Sequence, residues 1–285
     1  MKKNLTVILI ILMVAIISWL ILIPRKSCPQ QAVLFNVEKG EGSRDIALNL
    51  EKQGLIWSAP FFRVYVLFMG TAQKLQAGTY SFYPSMKMTQ IADKLAKGET
   101  AKAKITIPEG LTAEEIYQKL KEVSGVDPEE LGNFEGYLFP DTYEISYGAD
   151  SKEIIAMMTA NFNRKVTADL REEISRQGKT LEDIVVMASL LEKEVKTQEE
   201  KELASGILWK RLRIGMALQV DAATTTYEKL GLPEKPICNP GLVSILSAVY
   251  PKDSNFWYYL STPDGETIFS RTLEEHNLAK YQYLK

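Results

Sequence analysis

Histidine and cysteine are nearly absent from this 285-residue chain: it has one histidine, His276, and two cysteines, Cys28 and Cys238. A single imidazole excludes a multi-histidine metal centre. Two cysteines outside any spaced cluster support neither a zinc site nor a disulfide framework. No metal and no organic cofactor is expected. An excess of either charge is also missing, with 34 Lys and Arg against 36 Asp and Glu, a net charge of -2. The chain therefore lacks the basic surplus of a nucleic-acid binder, and no nucleic-acid partner is expected. Its 46% hydrophobic and 25% charged residues are those of a globular protein. The length allows a sizeable core and two domains.

Charge disappears altogether from one stretch, 5-LTVILIILMVAIISWLILI-23. At about 1.5 Å rise per residue such a run approaches the ~30 Å hydrocarbon core of a bilayer. It is too long for a cleaved signal peptide, and no small-x-small cleavage site follows. Residues 1–31 are expected to form a short cytoplasmic start and an uncleaved single-pass transmembrane anchor. Lys2 and Lys3 on one side are balanced by Arg25 and Lys26 on the other. The very short N-terminal flank favours the start inside and the remainder outside the plasma (inner) membrane.

From Ala32 short strands alternate with helices. Strands are expected at 33–37, 77–83 and 104–107. Helices are expected from Ser43 to Gly54, Ser58 to Gly70, Thr89 to Gly98, and onward from Thr112. Three helices share Ile and Leu at i and i+4: 46-IALNL-50, 91-IADKL-95 and 116-IYQKL-120. Any small amphipathic helix stacks such a pair on one face. A repeated strand–turn–helix module, similar to the glycan-binding LysM type, would do so too. The pattern loosens at 124-SGVDPEELGNFEG-136, which places a soft boundary near residue 130. Beyond it the spacing predicts one long polar helix from Ser151 to Gln177. A second, capped by Thr180 and Asp183, runs through 196-KTQEEKE-202 to Gly215. Two strands near the end, 256–260 and 267–270, are joined by the turn 263-PDGE-266.

The stretch 187-MASLLEKEV-195 sets two carboxylates beside an apolar run. At 100° per residue Ile184, Ala188, Leu191 and Val195 share a stripe, and Glu192 and Glu194 fall on its two shoulders. A shoulder carboxylate shielded from water has a raised pKa, as a general acid needs. Small Ala188 and Ser189 leave room beside Glu192, whereas Leu190 and Leu191 would wall Glu194 in. Two solvated helix-edge glutamates fit the same spacing. Downstream, Gln219, Asp221, Asn239, Ser244, Ser270, His276 and Asn277 supply amides, hydroxyls and one imidazole. Amides and hydroxyls in excess over cations suit an uncharged polyhydroxylated ligand, although each of these residues reads equally well alone as a turn former or surface side chain.

Taken in order, 135-EGYLFPDTYEI-145, 187-MASLLEKEV-195, 206-GILWKRLRIGMALQVD-221, 231-GLPEKPICNPG-241 and 269-FSRTLEEHN-277 resemble the YceG-like family of endolytic murein transglycosylases, over nearly the whole chain. That resemblance implies an α+β fold in three parts: the transmembrane helix, a LysM-like α+β region at 32–130, and a C-terminal α+β catalytic domain at 131–285. It implies a membrane-anchored enzyme that cuts peptidoglycan glycan strands between N-acetylmuramic acid and N-acetylglucosamine without water, leaving 1,6-anhydro ends. The catalytic domain would lie on the extracytoplasmic side, with cell-wall synthesis enzymes as prospective partners. The first Glu of the E-K-E segment, Glu192, is expected as the catalytic acid. Gln219, Asp221, Asn239 and Glu194 are expected to position the substrate, Tyr137, Phe139 and Tyr143 to stack on sugars, and Ser244, His276 and Asn277 to bind it. The chain departs from the family pattern in a shortened segment after Asp221, with Tyr227 as its tyrosine, and in 233-PEKP-236. A glycan-binding scaffold without activity, and a hydrolase pairing Glu192 with Asp221, are the rival expectations.

Overall fold

The computed structural model describes residues 31–125 and 127–284. The expected anchor at 5–23 lies outside the described residues, among which no helix is long and apolar enough to cross a membrane. The fold is mixed α and β, with three two-stranded sheets among the described residues and many helices. Contacts divide the chain into two compact units. One takes in the described chain up to Ala103 together with Glu144–Gly148, and the other comprises Lys104–Tyr143 and the chain from Ala149 onward. The expected boundary near residue 130 thus falls inside the second unit.

In the first unit β1 (Val33–Val37) pairs antiparallel with β2 (Gly78–Phe82), with Phe35 opposite Tyr80. Strand alternation turns Phe35 and Val37 inward and leaves Leu34 and Asn36 outside. Against the sheet's apolar residues pack α1 (Ser43–Lys52), α2 (Ala59–Phe68) and α3 (Met88–Lys97). The pairs Ile46/Leu50 and Ile91/Leu95 are fully buried, as their stacking on one helix face requires. Tyr80 is fully buried too, and its hydroxyl donates to the Gln76 carbonyl at 2.7 Å.

The chain leaves this unit within β3 (Lys102–Thr106) and returns briefly through β4 (Thr142–Ser146), its partner strand. The second unit holds α4 (Ala113–Leu120), α5 (Pro128–Gly132), α6 (Ser151–Lys165), α7 (Ala168–Arg176), α8 (Leu181–Glu194) and α9 (Gln198–Arg213). Then follow α10 (Thr225–Glu228), α11 (Leu242–Val249), the antiparallel hairpin β5 (Tyr258–Ser261) and β6 (Thr267–Ser270), and α12 (Leu273–Tyr283). Helix α8 lies at the centre, packed against α7, α9 and α11.

Two helices expected to be continuous are each broken. The segment 151–177 divides at Val166, because Thr167 caps α7 by accepting from the Leu170 N–H. The stretch after Glu194 is not helical either. Val195 is extended, and Thr197 opens α9 with a capping box in which the Thr197 N–H donates to Glu200 at 2.9 Å. In both cases a valine outside the helix precedes, directly or by two residues, a threonine whose hydroxyl satisfies an orphan amide of a new helix start. The second break makes Glu194 the last residue of α8.

The loop 135–141 is fastened to the centre by Gly136, which has φ 87° and approaches other chain segments closely. A Cβ there would fall 2.6 Å from Pro236 and 2.7 Å from Val185. Gly136→Ala is expected to destabilise the protein by about 2 kcal/mol or more, as strain and overpacking together require. A chemical denaturation midpoint unchanged from wild type would contradict this packing.

Candidate active site

Helix α8 begins with the capping box expected from the sequence: Thr180 accepts from the Asp183 N–H at 3.0 Å, and its own N–H donates to Asp183 at 2.9 Å. From Ile184 to Leu191 every residue is buried. A helix covered on all sides has no apolar stripe with shoulders, so the wheel could not sort the two glutamates. What separates them is the end of the helix.

Glu192 turns into the protein. Its Oε1 is 3.0 Å from Lys201 Nζ, and the two side chains are only 9% and 5% exposed. Its Oε2 accepts from the Gly241 N–H at 2.9 Å and from the Ser244 hydroxyl at 2.7 Å. Gly241 is the N-cap of α11, so the carboxylate also meets the positive end of that helix. Together these partners occupy both oxygens. Glu109 lies beside this cluster. A Cβ on Gly241 would fall 1.9 Å from Glu109 Oε1, so a larger residue there would displace the Glu109 carboxyl. Burial first, and then the charge of Glu192, raise the pKa of Glu109.

Glu194 faces the other way, into a cavity of about 260 Å³. Around it stand Gln219, Asp221, Tyr227, Tyr258, Tyr259 and His276. Its Oε1 accepts from the Ala222 N–H at 2.9 Å, and its backbone carbonyl accepts from the Ser261 hydroxyl at 2.9 Å. Burial raises the Glu194 pKa, and the charge of Asp221 raises it further, against the pull of the Ala222 N–H. The buried Tyr259 hydroxyl stands near enough to the carboxyl to lower its pKa slightly, yet the pair lacks full hydrogen-bond geometry and the hydroxyl has no partner. Asp221 accepts a hydrogen bond from the Tyr227 hydroxyl, which pushes the Tyr227 pKa up to about 12. Gln219 is the one non-glycine residue among those described with positive φ, 52°. Such strain at a cavity wall is characteristic of a constrained site.

The cavity owes its shape to Arg211, a buried residue that the sequence reading missed. Its guanidinium donates to the Trp257 carbonyl at 2.7 and 3.0 Å and to the Leu218 carbonyl at 2.5 Å, and it lies 5.2 Å over the Tyr258 ring. It thereby ties the segment carrying Gln219 and Asp221 to the strand carrying Tyr258 and Tyr259. His276, from α12, stacks on the other ring contact of Tyr258, with centroids 5.2 Å apart. Burial and the nearby Lys280 and Arg211 lower its pKa, which keeps the imidazole neutral at pH 7.

Of the expected site residues, Glu194, Gln219, Asp221 and His276 come together in the cavity. Glu192 and Ser244 are bonded to each other outside its lining. Asn277 is exposed and does not line it. Asn239 is fully buried and spent on the fold: its amide donates to the Leu111 carbonyl and to Glu135, and its oxygen accepts from the Leu138 N–H at 2.9 Å. None of the three aromatics lines this cavity. Tyr137 meets Phe162 edge-on, Phe139 is buried in the core, and the Tyr143 hydroxyl donates to the Phe139 carbonyl. Among the described residues no cluster of His, Cys, Asp and Glu could hold a metal ion.

The YceG-like family matches residues 35–228 and 225–282. An endolytic murein transglycosylase of Bacillus subtilis is 27% identical over 92% of this chain and 87% of its own. One from Streptococcus pneumoniae is 23% identical over 90% of this chain and 59% of the longer relative. A crystal structure of a yceG-like protein from Listeria monocytogenes is 28% identical, with a TM-score of 0.56, covering 88% of this chain and all of that one.

The buried ion pair predicts an asymmetric response. Lys201→Met leaves the Glu192 charge enclosed without its cation and is expected to cost about 3–5 kcal/mol. Adding Glu192→Gln should recover much of that loss in urea denaturation. Equal destabilisation by the single and double variants would contradict the pairing. On the strength of the family match across most of its length, this chain belongs to the YceG-like family.

Proposed function

We propose that the protein is a lytic transglycosylase of peptidoglycan glycan strands and that Glu194 is its acid. The observation that carries this reading is the place of Glu194 on the cavity wall, where burial raises its pKa. Glu192 lies outside the cavity lining, with its oxygens held by Lys201, Gly241 and Ser244. The relatives named endolytic murein transglycosylase support the substrate class.

The reaction needs one carboxyl group used twice. Glu194 gives its proton to the departing glycosidic oxygen as the bond to the anomeric carbon of N-acetylmuramic acid breaks. As carboxylate it then takes the proton of that sugar's 6-hydroxyl, whose oxygen closes on the anomeric carbon. The glutamic acid is regenerated, no water is consumed, and the product carries a 1,6-anhydro ring. The charge developing on the sugar is met by the Asp221 carboxylate, which Tyr227 holds in place. Gln219, Tyr258 and His276 line the cavity within reach of sugar hydroxyls and rings. Two carboxyls in one cavity also suit hydrolysis, and the products distinguish the two: reducing ends for a hydrolase, anhydro ends for a transglycosylase.

The uncharged run at 5–23 is assigned as a single membrane span that holds both units on the extracytoplasmic side. The first unit, β1-α1-α2-β2 with α3, is assigned as the LysM-like, glycan-holding part.

Incubation of the full chain with purified peptidoglycan should release anhydro-muropeptides. Glu194→Gln should lower that release at least ~100-fold, as loss of a general acid does. Glu192→Gln keeps an oxygen for Gly241 and Ser244 and should retain more activity. The reverse ranking would return the acid to Glu192. Because the protonated acid starts the reaction, the rate should fall as pH rises through the elevated Glu194 pKa. In Asp221→Asn the charge that raises this pKa is gone, so the alkaline fall of the residual activity should move to lower pH. An unmoved limb would separate Asp221 from Glu194.

A further inference from the structure

Helix α2, 59-APFFRVYVLF-68, carries one charged residue, Arg63, in ten. A helix apolar on every side belongs in a protein core or in lipid. Only one face of α2 is in the core: Ala59, Phe62 and Val66 are buried. At 100° per residue Pro60, Val64, Leu67 and Phe68 form the opposite arc, and that arc is exposed. Phe68 is 88% exposed, and Val64, Leu67 and the following Met69 are each more than half exposed. Large apolar side chains gathered on one face mark an interaction surface.

The chain itself limits what can cover this face. Between the end of the uncharged run at Ile23 and the start of β1 at Val33 lie residues 24–32, nine in all. Even fully extended they reach at most about 30 Å. Given the membrane span assigned above, on which this inference rests, the first unit cannot leave the vicinity of the bilayer. The face also lacks what a sugar needs. Its arc has no hydroxyl, amide or carboxylate to read a glycan, only aliphatic and phenyl groups with Arg63 at one edge. Apolar side chains beside a cation suit the boundary between acyl chains and anionic headgroups.

We infer that the exposed Pro60–Val64–Leu67–Phe68 face of α2 is a membrane-docking surface that inserts into the outer leaflet of the bilayer holding the anchor. Docking gives the first unit a second attachment, which fixes its orientation on the membrane instead of leaving it on a free tether.

The test uses the full chain with Cys28→Ser, in vesicles of phosphatidylethanolamine and phosphatidylglycerol with brominated acyl chains. An environment-sensitive fluorophore is placed on Val64→Cys or, as an exposed control in the same unit, on Tyr83→Cys. Docking predicts that bromine quenches the probe at 64 several-fold more than the probe at 83. It also predicts that adding Leu67→Asp and Phe68→Asp abolishes that difference while the protein still floats with the vesicles. A probe at 64 that is unquenched and open to aqueous iodide in floating protein overturns the docking surface and leaves the anchor standing. A probe shielded from iodide but unquenched by bromine would mean that a second copy or another protein covers the face, and also overturns it. Failure of the chain to float removes the anchor and this inference together.

Discussion

The buried contact between Glu192 and Lys201 fixes how the centre of the second unit is put together. It joins the end of α8 to α9, and through Gly241 and Ser244 to the start of α11. Taking two charges out of water is costly, and their attraction offsets that cost only where further hydrogen bonds satisfy the remaining lone pairs. Here both carboxylate oxygens are satisfied. The result is an α8 terminus whose direction is set two residues before Glu194. Since Val195 leaves the helix at once, the next carboxyl turns away from the ion pair and into the cavity.

The two glutamates thus sit in different surroundings. The Glu192 carboxylate is fastened to a cation and two donors. A carboxyl that burial has made harder to ionise, beside the charge of Asp221 and with one backbone donor, can give a proton and take it back. Around Glu194 the polar groups are held by the backbone of distant segments. Arg211 ties Leu218 to Trp257, Tyr227 holds Asp221, and Ser261 anchors the terminus of α8. Such pre-set dipoles are what a reaction with developing positive charge uses.

Much of the scaffold was legible in the sequence. The Ile and Leu pairs at 46/50, 91/95 and 116/120 reported buried helix faces, the Thr180–Asp183 box reported the start of α8, and 263-PDGE-266 reported the β5–β6 hairpin. The different surroundings of Glu192 and Glu194 were not legible. A helical wheel assumes a helix that continues, and Thr197 with Glu200 ended this one early. The wheel also assigned space by the nearest residues on α8, whereas the space beside Glu194 is made by residues 219–221 and 258–261. Aromatics told a similar story. Tyr137, Phe139 and Tyr143 cluster in sequence, but they stand outside this cavity, against α6 and one another, while its rings come from Tyr227, Tyr258 and Tyr259.

The central claim is that Glu194 carries a proton where ordinary glutamates have lost theirs. Carboxyl-13C NMR titration of the protein labelled at glutamate, with Glu194→Gln identifying the resonance, measures this directly. The account predicts a Glu194 pKa above the ordinary glutamate range, falling when Asp221 is replaced by Asn. A Glu194 that titrates at or below the ordinary value would contradict it.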